Sequence, residues 1–351
     1  MSAAKSRGTL TGVAVALLIG ILAAGCSSAK HDRQKQARTG QQPAVQARAA
    51  RQALADEAVG VVRQYWRARN LAYGRLERGP LTGYEDQAAA LLSRGDIDYR
   101  SANGIPAGSS TSDLGDLRTY FTRPDRFPRL LLAAVTTASG DLEPEVYLLL
   151  FTRPAPRASW KLSWQARYAD NTPPPAVRVD ADGFAVPLTP ARQRSTLGAD
   201  ATEVRRRLQD YRRRAAAAST PPRSGWFADT RLTYGAAKAL QADVWSAGLI
   251  GVRQLLEPRD PGLPGYALAT RDGALVMVTI GEQTVRKYQA APLRQDQHQI
   301  VYDRRVAPGS YRTIVIRAVA TYAVQVPAAS RHGRAVVVAS SSSVTSVTAK
   351  P

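Results

Sequence analysis

Apolar positions along the chain follow two periods. Between Gln52 and Leu76, Val59, Val62, Trp66 and Tyr73 recur at spacings of three, four and seven, which predicts an amphipathic helix. Arg63, Arg67 and Arg75 fall away from that face, and Gly79-Pro80 ends the pattern. A second, shorter helix is predicted from Tyr84 to Leu92. After a Gly/Ser-rich loop from Ala102 to Thr111, the period changes to that of strands. Four are predicted, Leu117–Thr122, Leu130–Thr137, Glu145–Thr152 and Trp160–Tyr168, separated by proline turns and by Ser139-Gly140-Asp141. In the fourth, Trp160, Leu162 and Trp164 alternate with Lys161, Ser163 and Gln165, so one face is expected to be buried and the other wet.

Pro173-Pro174-Pro175 marks a candidate boundary, followed by a strand pair over Ala176 to Leu188 around the turn dipeptide Asp182-Gly183. The order of elements then repeats. Asp200 caps a helix whose buried face is Val204, Leu208, Tyr211 and Ala215, with Glu203 placed to complete a capping box. A further helix is predicted over Tyr234 to Leu256. Strands are predicted over Gly265–Thr270, Ala274–Gly281, Arg286–Gln289, Tyr311–Val326 and Arg334–Thr348. Ile314, Ile316, Ala318, Ala320, Tyr322, Val324 and Val326 share one face of a strand long enough to require curvature or a bulge.

Helices followed by an antiparallel meander, twice over, predict an α+β protein of two tandem domains, 52–175 and 176–351. In each, amphipathic helices would pack on a curved antiparallel sheet. That order of elements resembles the cone-shaped fold of the nuclear-transport-factor-like superfamily. The resemblance implies a cavity between helix and sheet, and Tyr65, Trp66, Tyr73, Trp160 and Trp164 are the aromatics that would line it; as side chains they equally suit a packed core.

The chain opens with Lys5 and Arg7, an apolar run from Val13 to Leu22, and small residues up to Gly25, the three regions of an export signal. The run is shorter than the roughly 20 residues of a membrane-spanning helix. Leu22-Ala23-Ala24-Gly25-Cys26 resembles the lipobox of bacterial lipoproteins, with Leu22 one step upstream of its commonest place. The resemblance implies cleavage between Gly25 and Cys26, a diacylglyceryl thioether on Cys26, and anchorage at the extracytoplasmic face of the membrane; two acyl chains suffice for stable attachment. Ser27 to Arg51, polar, basic and without apolar period, is expected to form a flexible tether. Cys26 is the sole cysteine, so neither an intramolecular disulfide nor a cysteine metal cluster is available.

The net charge is +20, and losing Lys5 and Arg7 with the leader would leave +18. With no nucleic-acid recognition motif in the chain, two readings stand: attraction to anionic lipid or cell-wall polymer, or a compositional bias. Arginine far outnumbers lysine, 41 to 7, and with the abundant alanine this resembles the makeup of actinobacterial lipoproteins. Two triplets, Arg205-Arg206-Arg207 and Arg212-Arg213-Arg214, lie on one helix and are the candidate anion-binding surface.

Signals for catalysis are sparse. His31, His298 and His332 lie in polar or loop segments without metal-ligand spacing, and there is no nucleophile elbow or phosphate-binding glycine loop. The acid groups Asp96/Asp98, Asp113/Asp116 and Asp141/Glu143/Glu145 are the remaining candidates for paired-carboxylate chemistry. No cofactor or metal is expected. The sequence therefore points to a non-enzymatic binding or scaffolding protein of the cell envelope. A carrier of a small apolar or amphiphilic ligand is the alternative, followed by a carboxylate-dependent hydrolase. Intact-mass analysis of membrane-fraction protein should show a diacylglyceryl adduct that Cys26→Ala removes; an unlipidated, freely released wild type would refute the anchor.

Overall fold

The computed structural model describes residues 32–138, 144–169, 175–249, 251–288, 293–294, 305–306 and 310–351. Gly25 and Cys26 lie outside these residues. Two units are distinguished, Met1–Ala50 and Arg51–Pro351. In the first, the chain is helical from Asp32, where the sequence suggests coil, and the helix α1 runs to Arg75. Gln, Ala and Arg dominate this stretch, and all three extend a helix readily once it is nucleated.

The second unit is α+β. From Arg51 onward, α1 buries Ala58, Val62, Tyr65, Trp66, Ala72 and Tyr73, so three of the four residues of the predicted face are buried and Val59 is half-buried at its margin. A 3-10 turn at Gly79–Leu81 leads to α2 (Gln87–Asn103), longer than expected and closed by Gly104 in the left-handed region at φ 66°. Four antiparallel strands follow: β1 (Asp113–Phe121), β2 (Arg129–Ala138), β3 (Glu145–Arg153) and β4 (Lys161–Tyr168). The second half begins with α3 (Pro190–Leu197), α4 (Ala201–Ala217) and α5 (Ala236–Leu249), with a π-helical turn at Arg231–Gly235 before α5. Its strands are β5 (Val252–Arg259), β6 (Tyr266–Ala269), β7 (Gly273–Tyr288), the two-residue β8 (Leu293–Arg294) and β9 (Ser310–Tyr311), β10 (Thr313–Pro327) and β11 (Val336–Lys350).

One sheet joins the halves, in the order β1-β2-β3-β4-β11-β10-β7-β5, with β6 also on β7 and every pairing antiparallel. The sheet is thus continuous past 175/176, where the sequence suggests a boundary. The segment after the three prolines is itself shared. Val179 pairs with Ala185 around Gly183 (φ 81°), Val177 with Thr270, and Pro187 with Leu268, while the Ala185 amide donates to the Phe121 carbonyl. These are single bridges rather than the expected strand pair.

Three further expectations change in physical detail. Glu203 does not complete a capping box: the Asp200 carboxylate accepts from the Glu203 amide at 3.0 Å, but Glu203 turns to Arg206 and Arg207. The predicted helix over Tyr234–Leu256 breaks at Gly251 (φ 71°), and Val252–Leu256 enter the edge strand β5. The irregularities at the long strand lie on its partner: β10 pairs with β7 without a break from Thr313 to Pro327, whereas Val338 and Thr345 are extra residues on β11.

A bulge in β4 sets the layout of the core. Leu150 pairs with Trp164 and Phe151 with Leu162, so Ser163 is the additional residue. Leu162 and Trp164, expected on one face, therefore point to opposite faces. Leu162 joins the cluster under α1 with Tyr65, Trp66, Leu131, Leu149 and Phe151. Trp164 joins a cluster that draws on both halves: Leu132, Leu148 and Leu150 with Leu268, Leu275, Met277 and Ala323. A third cluster packs α3, α4 and Phe227 on β7 and β10 through Val204, Leu208, Val276, Val278, Tyr322 and Val324. Hence β7 is buried on both faces over Ala274–Ile280, which accounts for its nearly unbroken apolar run.

α2 lies tightly on β11. A Cβ on Gly95 would sit 2.5 Å from Ser343 Oγ and 2.6 Å from the Val344 carbonyl oxygen. Since one of these is backbone, Gly95→Ala should cost about 1–3 kcal/mol by overpacking, read as a lower urea midpoint; an unchanged midpoint would show that this helix–strand contact yields freely.

Candidate functional site

Where α1 and α2 cross β3, β4 and β11, the surface opens into a cleft with two adjoining lobes of about 400 and about 270 Å³. Arg69, Asp96, Tyr147 and Arg167 line both lobes. The floor of the larger lobe is the serine run of β11, Ser340–Ser343.

Helical spacing positions Arg69. It lies three residues after Trp66 and four before Tyr73, and its guanidinium stands 4.7 Å from the ring centroid of each. One nitrogen donates to the Ser110 carbonyl at 3.1 Å. Stacking between two rings fixes the planar group without consuming its charge. The other arginines of the cleft are neutralised: Arg100 pairs with Asp96 at 3.1 Å, and Arg167 with Glu145 at 2.5 Å. Glu145 also accepts from Tyr147 Oη at 2.6 Å. Among the described residues no carboxylate lies within ion-pair distance of Arg69. The site thus carries one net positive charge on a held guanidinium facing open space. Burial, then the Glu145 hydrogen bond, push the Tyr147 phenol up to about 12, and burial followed by the Asp96 carboxylate raises Tyr73 well above its ordinary value. Both phenols are therefore neutral hydrogen-bonding groups at physiological pH.

A second cleft, of about 570 Å³, lies behind the 3-10 turn and is lined by Arg78, Thr82, Glu85, Ser93, Arg94 and Ile97 among others. Glu85 is 7% exposed. Its Oε1 accepts from Tyr65 Oη at 3.0 Å and from Ser93 Oγ at 2.8 Å. Burial raises its pKa from 4.5 to about 7, against the pull of the two hydroxyls and Arg69.

The five predicted aromatics are not one constellation. Tyr65 and Trp66 are packed under α1, where Tyr65 meets Phe151 edge-on at 5.6 Å and Trp66 donates to the Ser112 carbonyl at 2.8 Å. Tyr73 extends from that core into the cleft. Trp160 is anchored by its indole N–H to Glu57 at 3.0 Å, and the apolar space beside it measures about 10 Å³. Trp164, sent to the other face by the Ser163 bulge, donates to the Val278 carbonyl at 3.1 Å.

The arginine triplets also divide. Arg205 is 7% exposed and bound to Asp260 and the Leu263 carbonyl, while Arg212 clasps Glu282 through two nitrogens. These two are tertiary ties, whereas Arg206, Arg207, Arg213 and Arg214 face a groove beside Trp226. Of the carboxylate candidates, Asp96 and Glu145 meet at the cleft but are engaged by arginines, Asp98 pairs with Arg78, and Asp141 and Glu143 lie outside the described residues. His332 is exposed in a loop, and His31 and His298 lie outside the described residues. Among the described residues no cluster of three His, Cys, Asp or Glu is placed to hold a metal ion. No described helix is long and apolar enough to cross a membrane.

Arg69, Tyr147, Arg167 and Glu85 were not singled out in the sequence. Arg69 left a readable trace, a cation with aromatics at i−3 and i+4. The serine run of β11 did as well, since it places a hydroxyl at every position and hence on both faces of the strand. Glu85 left none, because its burial depends on the meeting of α1, α2 and β4.

Folding favours the protonated form of Glu85, so its contribution to stability is full below pH 4.5 and is lost as pH rises through about 7. Glu85→Gln keeps an acceptor for both hydroxyls without the charge. It should raise the melting temperature at pH 8 and leave it nearly unchanged at pH 4.5, the difference being up to about 3 kcal/mol. Equal shifts at both pH values would contradict a buried, proton-hungry carboxyl.

No curated protein and no solved structure gives a significant match to the chain. One family matches over residues 41–349, across both halves. The chain belongs to that family, described as "Domain of unknown function (DUF8094)".

Proposed function

We propose that the protein is a non-enzymatic binding protein of the cell envelope, held at the extracytoplasmic membrane face by lipid on Cys26. Its site is the Arg69 cleft, and its ligand a small, hydroxyl-rich anion. The observation that carries this reading is the guanidinium of Arg69, stacked between Trp66 and Tyr73 without a carboxylate partner, in a cleft whose lining includes the serines of β11. A fixed fork of donors suits a carboxylate or phosphate, and the neutral phenols and serines suit hydroxyl groups around it. In this reading the paired carboxylates of the cleft position Arg100, Arg167 and Tyr147 rather than carry out acid–base chemistry. Two helix-then-sheet units in tandem, 52–175 and 176–351, describe the chain order, merged into one sheet whose junction forms the cleft.

The alternative, a carrier of a small apolar or amphiphilic ligand, has about 10 Å³ of space beside Trp160 and about 570 Å³ in the cleft behind the 3-10 turn. The test is titration of the protein with D-glucuronate and with uncharged glucose, followed by calorimetry or NMR. Glucuronate should bind and glucose should bind more weakly. Arg69→Gln should weaken glucuronate by about tenfold or more, the scale of one charge-assisted contact. An absence of glucuronate binding, or equal binding by the variant, would overturn the assignment.

A further inference from the structure

The exposed face of α4 and the segment Ser224–Phe227 enclose a groove of about 470 Å³, far in sequence from the Arg69 cleft and sharing no residue with it. Its cations are engaged to different degrees. Arg206 is the most engaged: two of its nitrogens bind Glu203 and the third binds Asp210, each at 2.8 Å. Arg207 gives one nitrogen to Glu203 at 2.6 Å, and Arg213 gives one to Asp210 at 2.7 Å. No carboxylate lies within ion-pair distance of Arg214 among the described residues. The salt bridges hold Glu203 down at about 2, through Arg206 first and then Arg207, so the acid stays ionised and keeps these side chains in place.

Arg207 and Arg214 are seven residues apart, on one stripe of the helix and about 10 Å apart along its axis. Both line the groove and keep unused donors. Between the helix and the groove's far wall, Trp226 is half-buried with Arg207 stacked 4.7 Å over its ring, and Phe227 beneath it is 1% exposed. Counting Arg206, Arg207, Arg213 and Arg214 against Glu203 and Asp210, the groove has a net charge of +2.

We propose that this groove is a binding site for a linear polyanion that places phosphate or carboxylate groups about 10 Å apart, one at Arg207 and one at Arg214. A ligand with a single anionic group reaches one of the two donors and gains little. The concavity favours a chain over a flat lipid surface, because Trp226 is recessed under Arg207 instead of projecting. This site is independent of the Arg69 cleft, and neither reading depends on the other.

The probe is short-chain sodium polyphosphate, titrated into the protein over a range of salt, with orthophosphate as the single-anion comparison. Arg207→Gln/Arg214→Gln is compared with Arg63→Gln/Arg67→Gln, which removes the same charge from exposed positions of α1. Melting temperatures of both variants establish that each is folded. Polyphosphate should bind far more tightly than orthophosphate. The groove variant should lose about tenfold or more in affinity, and its slope of log affinity against log salt should fall by about two; the α1 variant should change little. Equal losses in both variants would show diffuse attraction by net charge and overturn the site. Binding to anionic phosphatidylglycerol vesicles that depends on Arg207 and Arg214, with no such dependence for polyphosphate, would overturn it in favour of membrane docking.

Discussion

Two residue pairs, Tyr168 with Ala339 and Arg167 with Ser340, join the first half of the sheet to the second. So short a ladder cannot hold two independent sheets together, since each backbone hydrogen bond nets only about 1 kcal/mol. What holds the seam is side-chain traffic across it. Trp164 crosses to the Val278 carbonyl, Thr321 donates to the Gln165 carbonyl at 2.5 Å, and Ser341 accepts from the Arg167 amide at 3.0 Å. Burying a side chain as large as Trp164, at 1% exposure, contributes several times the energy of one such hydrogen bond. The Ser163 bulge makes this possible by turning Trp164 away from α1 and toward Leu268, Leu275 and Met277.

The seam also creates the site. Arg167 and Gln165 arrive on β4, Ser340–Ser343 on β11, and α2 packs against both strands. Arg69 reaches this place because α1 lies over β2–β4, with Trp66 and Tyr73 rooted in the core below. Had the halves folded as separate bodies, the serines and Arg69 would belong to different surfaces. The cleft is a product of the merged sheet.

Individual elements were well marked in the sequence because their signals are local. The period of Val62, Trp66 and Tyr73 gave α1 its buried face, and the strand pattern located β1–β4, β10 and β11 to within a few residues, whereas the strands expected at Ala274–Gly281 and Arg286–Gln289 are one strand, β7. The Asp200 cap is similarly local. What escaped was set by distant contacts. The bulge at Ser163 depends on pairing with β3, so simple alternation placed Trp164 on the wrong face. The breaking of the helix predicted to Leu256 depends on β5 finding β7. Arginine is the hardest residue to read: Arg205 and Arg206 are neighbours, yet one is a buried tie to Asp260 and the other an exposed brace between Glu203 and Asp210. Net charge alone cannot separate these roles; the position of each carboxylate partner does.

A sheet and core shared by both halves require that residues 51–351 unfold as one cooperative body. Native-state hydrogen exchange on the full chain tests it most directly, by comparing the slowest amides of β2 and β3 with those of β7 and β10. If the seam and the shared core bind the halves, both sets exchange through the same global opening, with equal free energies and equal dependence on denaturant. If β2 and β3 open at distinctly lower free energy while β7 and β10 stay protected, the halves are separate domains and the merged-sheet origin of the cleft is wrong.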